Sequence, residues 1–326
     1  MAGADVTAES GRQSRQVDQS LLTVLVAFLA NLLIAIAKSV AAAITASASM
    51  LAEAAHSWAD AGNEILLLIA DRRSERRRDS GHPMGFGREA YVWSMFAAFG
   101  LFTAGAVVSI WHGVQELLKP EEASNYLVAY VVLAISFVLE GISFIQAATQ
   151  ARRLADERRR SVTDLVLNTS NPTLRAVFFE DAAALVGIAI ATLGVALHQF
   201  TGSPAPDAIG SILVGVLLGV VAVVLIDRNR RFLVGEAVRP EVRQKVLHHL
   251  LARPDIDRIT YLHLEFVGPD RLYLVASVDM AGDDVEHNLA VRLRQVEREL
   301  EQEEAIEEAV LTLATPDEVS LLPESR

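Results

Sequence analysis

The sequence predicts a polytopic α-helical membrane protein with six transmembrane helices. A C-terminal cytoplasmic α+β domain follows, in the ferredoxin-like order αββαβ. Three observations lead there. Of 326 residues, 52% are hydrophobic and only 21% charged, an apolar balance unlike that of a soluble domain. Six apolar stretches, at roughly 21–44, 48–71, 91–117, 126–149, 174–198 and 208–226, approach the length of about 20 residues that crosses a hydrocarbon core. Beyond Glu236 the pattern changes to short alternating runs between helical ones.

This organisation gives four segments: an N-terminal cytoplasmic tail expected to be disordered at 1–20, a six-helix domain at 21–235, the αββαβ domain at 236–315 and a C-terminal tail at 316–326. The opening MAGADVTAESGRQSRQVDQS is polar and has no apolar signal-peptide core. Arginines set the expected orientation. Arg72, Arg73, Arg76, Arg77, Arg78 and Arg88 follow the second span, and Arg152, Arg153, Arg158, Arg159 and Arg160 follow the fourth. Arg228, Arg230 and Arg231 follow the sixth, whereas the opposite side has Lys119 near a helix end. This alternation puts both termini in the cytoplasm, because basic loops stay on that side. We expect an integral protein of a bacterial plasma membrane, with lipid as a partner.

The net charge of −12 is concentrated in the tail. From Glu236 onward there are 20 acidic and ten basic residues, so the remainder carries only −2. Such an acidic segment gives no reason to expect nucleic-acid binding. The absence of cysteine excludes disulfides and thiolate metal ligands.

In the tail, PEVRQKVLHHLLAR has helical periodicity and opens on a proline suited to a first helical position. DRITYLHLEFVG and DRLYLVASVDM alternate as half-buried strands do, joined by the turn signal VGPDR. VEHNLAVRLRQVERELEQE is a second helix and AIEEAVLTLA a third strand. Helices on one face of a small sheet are the expected packing.

The chemistry lies in acids placed where lipid-crossing helices carry leucine. Within PTLRAVFFEDAAALVGIAIATLGVA, Glu180 and Asp181 are adjacent. A carboxylate in hydrocarbon costs several kcal/mol unless it is paired, protonated or faces a cavity. The second span holds LAEAAHSWADAGNEIL, in which His56 and Asp60 are four residues apart and share a helix face. A neutral imidazole and a hard carboxylate together suit Zn²⁺ and tolerate Mn²⁺, Fe²⁺ or Co²⁺. Glu180 is a third candidate ligand. Because consecutive helical residues point about 100° apart, Asp181 cannot face the same point equally, and is either a further ligand or a hydrogen-bonding or proton-carrying neighbour. The alternatives are an internal His–Asp hydrogen bond and a packing contact from the acids to Lys38 or a hydroxyl.

These residues resemble the cation diffusion facilitator (cation efflux) family of divalent-metal/proton antiporters. Six spans, the segment SASMLAEAAHSWAD, the loop GHPMGFGREA and the αββαβ tail match in order over roughly residues 20–315. The resemblance implies a homodimer, a transport site between the second and fifth spans, and alternating access to the two sides. His56 and Asp60 match the family's ligand positions in the second span. In the fifth span Glu180 takes the first ligand position and Ala184 the second, so one expected ligand is missing. The reading FFEDAAALVG resembles the branch that includes the mitochondrial zinc transporter of animals. Asp181, Asn63 or a water would complete the shell.

The family's secondary sites match less well. In the second loop His82 is present, but Phe86 stands where a second histidine is common, so a weak or absent site is expected there. In the tail, Thr260, Ser277, Leu313 and Thr315 occupy the places of bridging ligands, while His248, His249, His263 and His287 are off-register. Asn31 is expected to hydrogen-bond between helices, Arg88 to pair with Glu236, and Asp207 either to cap its helix or to serve the exit path. Gly62, Gly187, Gly194, Gly210, Gly215 and Gly219 admit close helix approach.

The function expected is proton-coupled efflux of a divalent cation, with Zn²⁺ first and Mn²⁺, Fe²⁺ or Co²⁺ by the same mechanism as alternatives. The cation is cargo, and no organic cofactor is implied. A rival reading is a non-transporting, metal-sensing membrane scaffold. No nucleophile or second metal cluster supports an enzyme.

Overall fold

The computed structural model describes residues 28–120, 125–282 and 285–323. The expected N-terminal tail at 1–20 and the start of the first span lie outside them, as do residues 324–326. The described chain forms two compact units. One comprises the described residues through Leu68 with Phe96–Val166 and Leu174–Ile226; the other comprises Ile69–Met95, Leu167–Thr173 and the residues from Asp227 onward.

The first unit is helical. Five helices are long and apolar enough to cross a membrane: α1 (Phe28–Thr45), α3 (Glu89–Leu118), α4 (Tyr126–Glu157), α6 (Pro172–Thr201) and α7 (Ala205–Val234). Helix α2 (Ala48–Ser74) has 27 residues and the length to cross, but Glu53, Asp60 and Glu64 make it more polar than the others. A short α5 (Val162–Asn168) precedes α6. Residues such as Leu33, Phe99, Trp111, Leu127, Ile145, Leu193 and Val223 are exposed around the bundle, as expected of side chains meeting lipid.

Between such helices packing and polar contacts, more than water exclusion, favour association. Small residues therefore matter. A Cβ on Gly113 of α3 would stand 2.6 Å from the Ala208 carbonyl oxygen, and one on Gly215 of α7 would stand 2.9 Å from that of Ala106, so both glycines let α3 and α7 touch by backbone. Phe102, Leu218, Val221 and Leu225 fill the space beside them. A π-helical turn at Ala98–Phe102 interrupts α3.

A sharp turn joins α1 to α2, with Ala46 at φ 54°. The start of α2 is capped from another helix. Asp207 of α7 accepts from the Ala48 amide at 2.8 Å, the Ser49 amide at 3.3 Å and the Ser47 hydroxyl at 3.0 Å. Asp207 thus caps α2, where the sequence had offered a cap of its own helix or a role in the exit path.

The second unit contains the expected αββαβ order: α8 (Pro240–Leu251), β1 (Ile256–Gly268), β2 (Arg271–Met280), α9 (Glu286–Leu300) and β3 (Ile306–Leu313). Pro240 stands at the head of α8, where its missing N–H removes no helical hydrogen bond. Strands β1 and β2 pair antiparallel through Ile259 with Val278 and Leu264 with Leu274. Strand β3 returns after α9 and pairs parallel to β2, with Leu274 opposite Ala309. The alternating burial of β2 places Leu272, Leu274, Ala276, Val278 and Met280 on one face. They pack with Leu247 and Leu250 of α8 and with Val296 and Leu300 of α9. Each fully buried aliphatic side chain contributes about 1.5–3 kcal/mol.

Also in this unit, the backbones of Gly87 and Gly268 meet; a Cβ on Gly87 would lie 2.7 Å from the Gly268 Cα. Arg88 donates to Glu265 at 2.5 Å, replacing the expected pairing with Glu236. Tyr91 stacks on Phe232 at 5.0 Å, and Phe232 meets Phe266 edge-on at 5.5 Å.

Candidate metal site within the helices

The site is built on α2. Residues 53, 56, 60 and 64 recur every three or four positions, so Glu53, His56, Asp60 and Glu64 form one stripe along the helix. The stripe faces inward. His56 is 0% exposed, Asp60 5% and Glu53 0%. His56 Nε2 stands 3.3 Å from Asp60 Oδ1, the i, i+4 neighbour predicted from the sequence. That contact lacks hydrogen-bond geometry, so both imidazole nitrogens and Asp60 Oδ1 have no hydrogen-bond partner. Buried polar atoms without partners are uncommon, because each carries the cost of lost hydration.

Helix α6 brings Glu180 to this stripe. Asn63, three residues beyond Asp60 on the same helix face, donates to Glu180 Oε2 at 2.5 Å and so holds the Glu180 carboxyl against that face. Two carboxyl groups buried on facing helices in a low-dielectric bundle favour a proton or a cation near them. Four of the predicted residues, His56, Asp60, Asn63 and Glu180, are therefore brought together. Asp181 points elsewhere. It accepts from the Ser143 hydroxyl of α4 at 2.8 Å, as the 100° separation of adjacent helical residues requires. Ala184, one turn beyond Glu180, is buried and offers no donor atom. In the conformation described, and among the described residues, no three His, Asp or Glu side chains converge tightly enough to grip one ion. The donors are lined up along the helix instead of closed around a point.

Around this stripe the structure adds groups the sequence reading passed over. Lys38 of α1 donates to Glu53 Oε2 at 2.8 Å, and both side chains are buried. The sequence had offered Lys38 as an alternative packing contact for Glu180 and Asp181; its hydrogen bond goes to Glu53 instead. Glu140 of α4, 7% exposed, is a further acid buried in the bundle. The sequence signal for both acids was present. Glu53 sits three residues before His56, and Glu140 interrupts an apolar run. At the far end of the stripe Asn31 donates to Glu64 Oε1 at 2.7 Å, the interhelical bond expected of it.

His82 lies apart, exposed in the loop after α2. Its Nδ1 is 3.1 Å from Asp79 Oδ1, and its ring is 4.1 Å from that of Phe86. The hydrogen bond to the His82 side chain, helped by the His82 and Gly81 amides, holds the Asp79 carboxyl below its ordinary range. In the tail, His248 bonds to the Gln244 carbonyl and His249 to Glu303, each at 2.9 Å, while His263 lies 3.6 Å from Glu265. Each is engaged locally.

Comparison with known proteins places this arrangement. Residues 24–234 match the cation efflux transmembrane domain. The chain is 37% identical over 243 residues to metal tolerance protein C4 of Arabidopsis thaliana, covering 74% of this chain and 53% of that protein. It is 35% identical over 259 residues to the mitochondrial proton-coupled zinc antiporter SLC30A9 of Homo sapiens, covering 79% of this chain and 46% of that one. The magnetosome protein MamB of Paramagnetospirillum magneticum is 21% identical over 244 residues, with 75% and 77% covered. The chain spans about half the length of the first two of these curated relatives.

Proposed function

The chain belongs to the cation efflux family, and from that premise we propose that it moves divalent metal cations out across a membrane in exchange for protons. Zn²⁺ is the first candidate. One relative of 35% identity is named a proton-coupled zinc antiporter, and one imidazole with carboxylates is a donor set that Zn²⁺ accepts. The same donors accept Mn²⁺, Fe²⁺ and Co²⁺, which keeps these as alternative cargo.

One observation carries the reading: buried Glu180 of α6 is held by Asn63 of α2, on the face where Asp60 lies 3.3 Å from the unpartnered His56. These are the residues that resemblance to the family assigns to its transport site. Such groups hold a cation or protons in turn, and binding the metal releases protons. Cytoplasmic metal would displace protons from His56, Asp60 and Glu180. Movement of the helices would then expose the ion to the far side, where incoming protons release it. In this reading α2 crosses the membrane with the other five helices, its polar stripe turned inward. The six-helix domain then runs over 21–235 and the soluble domain over 236–315, with Asn63 orienting Glu180, Asp181 held by Ser143 as a proton-carrying neighbour, and His82 as a weak secondary site. Both termini are cytoplasmic, the membrane is a bacterial plasma membrane, and the working unit is a homodimer.

The test is metal uptake with proton counterflow in proteoliposomes. The wild-type chain should exchange Zn²⁺ for protons, whereas His56→Ala and Glu180→Ala should abolish exchange. Unchanged uptake in both variants would refute the site. Robust flux by the purified protein would also exclude a scaffold without transport.

A further inference from the structure

Helix α6 supplies Glu180, but its next two inward positions, Ala184 and Gly187, supply nothing. Opposite them on α2 lie Glu53 and His56, spaced as Glu-x-x-His. That i, i+3 pair projects from one helix face and is a recurrent way for a helix to present two metal donors. Glu53 is 0% exposed, and its two oxygens differ. Oε2 accepts from Lys38 Nζ at 2.8 Å, whereas Oε1 has no hydrogen-bond partner. His56 Nδ1 has none either. Both bare atoms lie within 4 Å of the point where a Cβ on Gly187 would stand, with Glu53 Oε1 the nearer. The glycine thus lets the Glu53 carboxylate pack against the α6 backbone, with the bare imidazole nitrogen close by. A Cβ there would collide with the carboxylate.

We infer that Glu53 is a further ligand of the transported cation, receiving it together with His56 Nδ1 at the level of Gly187. The carboxylate that Ala184 and Gly187 do not provide comes from α2 itself. Seven residues separate Glu53 from Asp60, about 10 Å of helix rise. The ring of His56 therefore stands between two positions: Asp60 and Glu180 on its Nε2 side, Glu53 on its Nδ1 side. Lys38 is a tethered cation held by Glu53, which shows that this buried carboxylate accepts positive charge, and it leaves Oε1 to the ion. The ligand class is a divalent cation of hard to borderline character. The inference rests on the reading that His56, Asp60 and Glu180 carry the cargo.

The absence of cysteine in the chain allows a direct test. Single cysteines are introduced as Glu53→Cys, Glu180→Cys and, on another face of α2, Ala55→Cys. The purified full chain is titrated with Cd²⁺, reading the ultraviolet charge-transfer absorption of a cadmium thiolate. Because Glu53→Cys leaves Lys38 buried without its carboxylate, the double variant Lys38→Met with Glu53→Cys is titrated beside it. Absorption in a position-53 variant and in Glu180→Cys, but not in Ala55→Cys, is expected. Absorption in Glu180→Cys without any in either position-53 variant overturns the inference and leaves the transport site standing. Equal absorption in Ala55→Cys also overturns it. Absorption in none of the variants removes the underlying site as well. Glu53→Gln gives a second readout: Cd²⁺ affinity of the folded protein should fall about tenfold or more, and an unchanged affinity refutes the ligand role.

Discussion

Asn63 Nδ2 donates to Glu180 Oε2 at 2.5 Å, joining the two helices that carry the candidate ligands. The amide has no charge to offer a cation that carboxylates do not offer better. Its evident effect is to fix which oxygen of Glu180 remains free and which way the carboxylate turns. Removing such an orienting partner typically costs 10–100-fold in metal affinity. Asn63→Ala should therefore weaken Zn²⁺ binding by about that factor while the protein stays folded. Calorimetric titration of the detergent-purified chain checks this; an affinity within twofold of wild type would show that Asn63 does not position the acid.

The Lys38–Glu53 pair has its own signature. Breaking one partner of a buried ion pair costs about 3–5 kcal/mol, because the other charge is left uncompensated, whereas removing both is often neutral. Lys38→Met should destabilise strongly, and Lys38→Met with Glu53→Gln should recover most of the loss. Thermal unfolding of the two variants against wild type decides it. Additive losses would mean that the two side chains act independently.

These two pairs also mark where sequence reasoning stops. The positions of His56 and Asp60 on one face followed from spacing alone, and the alternation in Leu272–Met280 foretold a strand buried on one face. Glu180, which Asn63 holds against the face of α2, was legible as a third candidate ligand because it is an acid in an apolar span. Which neighbour Lys38 would find did not follow. Periodicity fixes a residue's angle around its own helix but not the rotation of the next helix. In α6, apolar nearly all round, it gives little guidance even to that. Hence Asp181 could be set apart from Glu180 by its 100° offset, but Ser143 as its partner needed the packed bundle. The same holds for Asp207, whose carboxylate reaches across more than 150 residues of sequence to cap α2.

That cap should be measurable. Asp207 satisfies the Ala48 and Ser49 amides and the Ser47 hydroxyl at a buried helix start. Loss of a side-chain cap costs about 0.5–2 kcal/mol, and burial puts this one toward the upper end. Asp207→Ala should lower the melting temperature and increase amide exchange in the first turn of α2. Asp207→Asn, which keeps one acceptor, should fall between. Unaltered exchange at Ala48 and Ser49 in Asp207→Ala would remove the capping role.

Leu274 lies at the centre of the tail domain, 0% exposed between β1, β3 and the helices. Leu274→Ala combines lost transfer energy with a residual cavity and should cost about 2–5 kcal/mol. The loss should appear in exchange of the β2 and β3 amides, with Zn²⁺ affinity at the helical site unchanged. Loss of Zn²⁺ binding in proportion to the tail's stability would contradict the independence expected of two units with separate cores.

The tail also offers a pH test. Glu299 accepts hydrogen bonds from Arg253 first and from Gln295 second, and these hold its carboxyl below the ordinary value of 4.5. A carboxyl lowered on folding contributes stability that is present above the unfolded value and is lost as pH falls through the folded one. The contact between Arg253 of the α8–β1 turn and Glu299 of α9 should thus be intact at neutral pH and gone in strong acid. Arg253→Gln should lower the stability of the tail at pH 7, and the gap from wild type should close as pH falls below about 4. Because Glu299 is exposed, salt should shrink the gap as well. Hydrogen exchange of the α9 amides across pH, corrected for the intrinsic rate, reads this directly. A gap that persisted undiminished in acid would assign the effect of Arg253 to packing of its side chain in place of its charge.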